Sequence, residues 1–231
     1  MDSKTFMQLT MGFWLEQPDD KHYGPPALPD NWNEGNRYRG RWKYAWLAAT
    51  VKALKAMTRR PVVVYEIGVY AGQSAAAFLY AGAIHYYGID NFSLVPETKE
   101  IAVNVLASSS PGRPPVTDDN LSLPAAPTGN ATLIIADSQI LTPGTLAEQH
   151  PIPADAMVLF SVDGAHDYQS ESHDLRFALE FTRPGDMIIV DDYLDNNDSV
   201  TKACDEAAAD ERVRWHNYLP GRCGYFVMEC G

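Results

Sequence analysis

The run Met157-Val158-Leu159-Phe160-Ser161-Val162 ends in Asp163-Gly164-Ala165-His166, and a second run, 186–190 (D-M-I-I-V), ends in Asp191-Asp192-Tyr193. Apolar runs of this length, bounded by Gly and Pro, read as strands buried on both faces of a parallel sheet. Open α/β sheets receive ligands at the carboxyl ends of their strands. Asp163, Asp191 and Asp192 are therefore expected to meet at one edge, where three carboxylates repel unless a cation or a proton lies between them. Oxygen-only donors favour a hard cation, Mg²⁺ ahead of Zn²⁺.

Outward from these two runs, strand and helix alternate. Residues 62–67, 86–89 and 132–136 read as strands. Residues 73–80, 97–107, 168–182 and 199–209 read as helices, with Arg183-Pro184-Gly185 stopping the third. A helix over 41–57 precedes them, carrying Trp42, Trp46, Leu47, Val51 and Leu54 at helical spacing. The chain closes with strand-like runs at 213–219 and 225–230, joined by Pro220-Gly221-Arg222 and close enough to pair antiparallel. The pattern predicts an α/β fold: a doubly wound, Rossmann-like sheet of seven strands, the last antiparallel, in three α/β/α layers. Residues 1–35, rich in Pro, Gly and aromatics (Phe13, Trp14, Tyr23, Trp32), form an arm or lid. Residues 36–231 form the domain, with a Pro/Ser/Gly-rich insertion at about 108–130.

Of the 231 residues 45% are hydrophobic and 21% charged, enough for a substantial core. The net charge of −12 argues against a nucleic-acid partner, which needs a basic face, and suits a cationic or neutral small ligand. Cys204, Cys223 and Cys230 lack metal-ligand spacing and are expected to be reduced. No apolar signal region and no run of transmembrane length is present, so the expectation is a cytoplasmic protein that does not engage the membrane.

The first strand leads into Glu66-Ile67-Gly68-Val69-Tyr70-Ala71-Gly72-Gln73-Ser74. Gly68 and Gly72 permit a tight strand-to-helix turn and close approach of a ligand to the backbone. The spacing is G-x-x-x-G rather than the G-x-G-x-x-G of dinucleotide folds, and no Y-x-x-x-K pair of a short-chain dehydrogenase follows. Asp90 ends the second strand, where an acid can accept both hydroxyls of a ribose; its alternative role is to cap the turn before Asn91. Asp137-Ser138, at the end of the third strand, is placed to meet an adenine amino group. Asp163 also has a bland alternative, as the N-cap of the helix that follows.

Together, E-I-G-V-Y-A-G-Q-S, Y-G-I-D-N-F, V-D-G-A-H-D-Y and P-G-D-M-I-I-V-D-D-Y resemble the class I S-adenosylmethionine (SAM)-dependent methyltransferases, and within them the macrocin-type O-methyltransferases that modify sugar hydroxyls of natural products. The resemblance covers roughly residues 35–231. It implies SAM held by Glu66, Gly68, Tyr70, Gly72, Ser74, Asp90, Asp137 and Ser138, with Glu66 and Asp90 providing negative potential for the sulfonium. It implies a divalent metal, usually Mg²⁺, on Asp163, Asp191 and Asp192, and a general base at His166, for which orienting Asp163 or a tyrosine is the competing role. His173 and Asp174 are expected to face solvent or pack behind the sheet. The implied activity is methyl transfer to a hydroxyl of a small molecule, a sugar or other diol, by a homo-oligomer. The alternatives are a metal-independent SAM methyltransferase and a SAM-binding non-catalytic partner subunit. The arm and the insertion match no pattern of the branch and leave the acceptor open.

Overall fold

The computed structural model describes residues 1–17, 43–109, 116–118, 130–194, 198–219 and 224–231. Its parallel strands are β1 (Val62–Ile67), β2 (His85–Asp90), β3 (Val116–Asp118), β4 (Ala131–Ile135), β5 (Met157–Val162) and β6 (Met187–Tyr193). The chain ends in β7 (Val213–Leu219) and β8 (Gly224–Cys230). The sheet order is β3-β4-β2-β1-β5-β6-β8-β7, and β8 lies antiparallel between β6 and β7. All seven expected strands are present. The eighth, β3, is a three-residue edge strand inside the insertion, where Pro and Gly hide any alternation.

Helices α1 (Ser3–Leu15), α2 (Lys43–Thr58), α3 (Gln73–Tyr80) and α4 (Thr98–Ser109) share one face of the sheet with side chains such as Val64, Leu133 and Val227. Helices α5 (Pro143–Gln149), α6 (Tyr168–Phe181) and α7 (Asp198–Ala208) cover the other, over Val63, Phe160 and Val190. The three layers follow from strands such as β1, β5 and β8, which are buried along their whole length and need apolar cover on both faces. Among the described residues no helix is long and apolar enough to cross a membrane.

Of the expected arm, the described part is α1, docked on α2 and β7. Phe6 is buried against Trp215 and Trp14 stacks on Trp46 at 4.7 Å. Its remainder, with Tyr23 and Trp32, lies outside the described residues, as do most of the insertion, Cys223 and the 220–222 turn.

The chain leaves β1 for β2 on one side, while β5 pairs with β1 on the other. That reversal opens a crevice at the carboxyl ends of β1 and β5, the place where open α/β sheets bind ligands.

Candidate active site

The turn after β1 is fixed from both neighbours. The Gly68 amide donates to the Ile89 carbonyl at 3.0 Å, and the Asp163 amide donates to the Ile67 carbonyl at 2.9 Å. Gly68 has φ +87°, and a Cβ built there would overlap the Asp163 carbonyl, so only glycine fits. Gly72, at φ +80°, is the N-cap of α3 and packs on Ala102 of α4. Asp90 braces this turn: its Oδ2 accepts from the Val69 and Tyr70 amides, each at 2.9 Å, and its Oδ1 from the Phe92 amide at 2.7 Å. The capping alternative is thus present, and the same residue lines the cleft described below.

Glu66 and Ser74, expected to touch a cofactor, lie beneath the turn instead. Glu66 is fully buried, and its carboxyl accepts from the Ser74 hydroxyl at 2.8 Å, the Ser161 hydroxyl at 3.2 Å and the Tyr86 hydroxyl. A buried carboxyl needs such partners, and here they tie β1 to β2, β5 and α3. Burial pushes Glu66 up to about 7 against the pull of the three hydroxyls, while burial and the adjacent Glu66 drive Tyr86 well above its ordinary value. These residues brace the turn from below.

Above them opens a cleft of about 410 Å³. It brings together Gly68, Tyr70, Asp90, Asp137, Ser138 and Asp163, six of the expected site residues, whereas Gly72 shapes the turn from behind. Asp137 also accepts from the Gln139 amide at 2.9 Å. Left-handed backbone marks the same region: Tyr70, Phe92, Asp192 and Leu194 all have φ between 50° and 65°. Conformations this costly for non-glycine residues concentrate at ligand sites.

At the β5 and β6 ends the acids gather round His166. The α6 N-cap is Asp167, which accepts from the Gln169 and Ser170 amides, so Asp163 is not the cap. His166 Nδ1 lies 3.1 Å from an Asp192 oxygen and its Nε2 lies 3.7 Å from Asp163. The Asp192 hydrogen bond, aided by the charges of Asp163 and Asp191 and opposed by partial burial, raises His166 to about 9, which makes it an imidazolium at neutral pH. Asp191, 4% exposed, lies behind Asp192.

The expected metal trio, Asp163, Asp191 and Asp192, stands at these strand ends with His166 between two of its members. The donors have suitable oxygen chemistry, yet among the described residues no three His, Cys, Asp or Glu side chains converge as a ligand set. The ring of His166 stands where a cation would relieve the repulsion of Asp163 and Asp192.

Of two buried acids on α6, Glu171 escaped the sequence reading and Asp174 lies elsewhere than expected. Glu171 and Asp174 are 2% and 1% exposed, and Asp174 lines the cleft rather than packing behind the sheet. Burial, then the neighbouring carboxylate of Asp174, pushes Glu171 up to about 8; burial also raises Asp174, against hydrogen bonds from Ser138 and His173. Their signal was an i, i+3 pair of acids in the first two turns of a helix that begins beside the site.

A doubly wound sheet with β8 inserted antiparallel, a glycine turn at the switch point and an acid-lined cleft beyond it define a Rossmann-like α/β protein with an open cleft at its carboxyl edge. The family described as "Methyltransferase domain" matches residues 65–193, more than half of the chain, and the protein belongs to it. Solved structures share the fold. The S-adenosylhomocysteine (SAH)-bound methyltransferase PaMTH1 of Podospora anserina aligns over 100% of this chain and 97% of its own, at 14% identity and a TM-score of 0.59. CalS11, a TDP-rhamnose 3'-O-methyltransferase of calicheamicin biosynthesis, aligns over 100% and 96%, at 15% identity and a TM-score of 0.57. The SAM complex of the O-methyltransferase TomG from Streptomyces achromogenes covers 81% of each chain at 15% identity, with a TM-score of 0.51. No curated protein matches the sequence.

Proposed function

We propose that the protein transfers a methyl group from SAM to a hydroxyl of a small-molecule acceptor. The observation that carries this reading is the placement of Asp163, His166 and Asp192 at the sheet edge where the cleft holding Gly68, Asp90 and Asp137 ends. Adenosine would lie along the cleft, with its ribose on the Asp90 carboxylate and its adenine by Asp137 and Ser138. The sulfonium would then face the acidic end.

Asp192 orients the His166 ring through Nδ1 and leaves Nε2, beyond hydrogen-bond reach of Asp163, as the nitrogen that an acceptor hydroxyl approaches. In the transfer, the hydroxyl oxygen bonds to the methyl carbon as the carbon–sulfur bond breaks, and its proton passes to Nε2 of the neutral ring. The sulfonium becomes the neutral thioether of SAH. Holding both reactants in line supplies much of the rate. The sugar or diol character of the acceptor is supported by the motif resemblance and by the fold shared with a sugar-modifying enzyme.

A second reading, assistance by Mg²⁺ or another divalent cation, is favoured by one observation, the three carboxylates at adjacent strand ends. Incubation of purified protein with methyl-labelled SAM and a panel of hydroxyl compounds, with and without chelator, tests both. Transfer of label to oxygen supports the first reading. Its loss on chelation and return with Mg²⁺ supports the second. Binding of SAH with no transfer to any hydroxyl compound, in either condition, argues for a non-catalytic SAM-binding subunit.

A further inference from the structure

Asp174 stands in the wall of the cleft although it belongs to α6, and it is 1% exposed. Its two oxygens face different loops. Oδ1 accepts from the Gln139 side-chain amide at 3.3 Å. The Ser138 hydroxyl also hydrogen-bonds this carboxyl, an interaction that favours its charged form and therefore has the hydroxyl as donor. Oδ2 lies over Gly164, so close that a Cβ built there would fall 2.8 Å from it. His173 Nδ1 lies 3.4 Å from Oδ1. One buried side chain thus joins the loop after β4 to the turn after β5.

The loop after β4 is anchored at its ends by the buried Ala136 and Leu141 and is turned by Asp137, which accepts from the Gln139 amide at 2.9 Å. Asp174 ties the two intervening side chains to α6. A serine hydroxyl has one proton and two lone pairs. With the proton committed to Asp174, the Ser138 oxygen can only accept, and the Asp137 carboxylate beside it accepts as well. This end of the cleft is therefore matched to a donor, such as the exocyclic amine of adenine, and mismatched to the carbonyl of an oxopurine.

We infer that Asp174 is a positioning residue that sets the base specificity of the cofactor site: through Ser138 and Gln139 it holds the β4 loop as an array of acceptors for an aminopurine. The inference rests on the SAM-binding reading proposed above and adds to it the residue behind the preference for adenine. The role requires an acceptor oxygen rather than a charge, so it survives the burial that raises Asp174. A site built to hydrogen-bond one ligand group rejects the analogue lacking it, because its own polar groups are then left unpaired.

The test is calorimetry on the full-length protein with SAH and with S-inosylhomocysteine, which carries a carbonyl in place of the adenine amine. The parent should bind SAH at least about tenfold more tightly. Asp174→Ala should shrink that ratio to within about threefold, chiefly by weakening SAH. Asp174→Asn, which keeps an acceptor oxygen at the same position, should retain most of it. Gln139→Ala, at an exposed position, should shrink the ratio in the same direction and stands in for Asp174→Ala should that variant fail to fold. A ratio that stays at the parental value in Asp174→Ala, or in Gln139→Ala where that variant alone folds, shows a merely structural role and overturns the inference, even if both affinities fall together. A parent that binds the two ligands alike, or an Asp174→Asn variant that loses the preference, overturns it too and leaves the SAM reading standing. A parent that binds neither ligand removes the SAM reading itself.

Discussion

Gly68 lies so close to Asp163 that the β1 turn and the first acid of the acceptor end form one backbone contact, with no room for a Cβ between them. The consequence is that the floor of the cleft and the Asp163–His166 group are positioned together. Gly68→Ala should therefore act on both, lowering the melting temperature and abolishing SAH binding. Gly185→Ala is the matched control: it has φ +89° but nothing within 4 Å of its Cβ, so it carries only the backbone penalty of about 1 kcal/mol. Similar melting curves for the two variants would show that the close approach is relieved at little cost.

Asp90 accepts three backbone hydrogen bonds and faces the cleft. Its removal should loosen the turn and delete the ribose acceptor at once. Charge-assisted hydrogen bonds are worth roughly 1.5–3 kcal/mol each, so Asp90→Ala should weaken SAH by about one to two decades, and Asp90→Asn by less. Calorimetry reads this directly. Unchanged affinity in the alanine variant would move the cofactor elsewhere.

Glu66 makes a stability prediction with a definite sign. Its folded value, about 7, stands above its ordinary 4.5 because burial disfavours the charge. Folding therefore favours the protonated form. That contribution is whole below about pH 4.5 and is lost as pH rises through about 7, amounting to roughly 3 kcal/mol. Glu66→Gln cannot ionise, so its stability relative to the parent should improve steadily from pH 5 to pH 8, whatever constant cost its altered hydrogen bonds impose. Urea unfolding across that range checks it; a constant difference would mean that Glu66 stays ionised in the fold.

His166 governs the pH dependence of turnover. The ring can accept a proton only when neutral, and Asp192 first, then the charges of Asp163 and Asp191, hold it protonated up to about 9. kcat/KM should rise with pH toward about 9. Asp192→Asn removes the largest cause of the shift and should move the rising limb to lower pH. A profile that is flat over this range, or a limb unmoved by the substitution, would assign the base to another group.

The strands were legible because runs such as 62–67 and 157–162 are buried on both faces and carry nothing else. Two helices were missed although their caps stood in the sequence. Asp2 accepts from the Thr5 amide at the start of α1, and Thr142-Pro143 opens α5 with a capping hydroxyl and a proline at the first turn. Short length masked α5, and mixed polarity masked α1. That Gly68, Tyr70, Asp90, Asp137, Ser138 and Asp163 line one cleft was legible because strand ends point to the crevice. The burial of Glu66 was not legible because sequence does not tell an acid above the turn from one below it; the hydroxyls of Ser74, Tyr86 and Ser161 hold it there. Glu171 was overlooked, and Asp174 was expected at the solvent or behind the sheet, because acids in a helix usually face water; burial of these two follows from the packing of α6 beside the cleft.

The most direct measurement is a crystal structure of the protein grown with SAH. The expected result is adenosine in the 410 Å³ cleft, its ribose hydroxyls on Asp90, its adenine beside Asp137 and Ser138, and its sulfur directed at the Asp163–His166–Asp192 group. SAH bound away from Asp90, or with its sulfur turned from His166, would contradict the account.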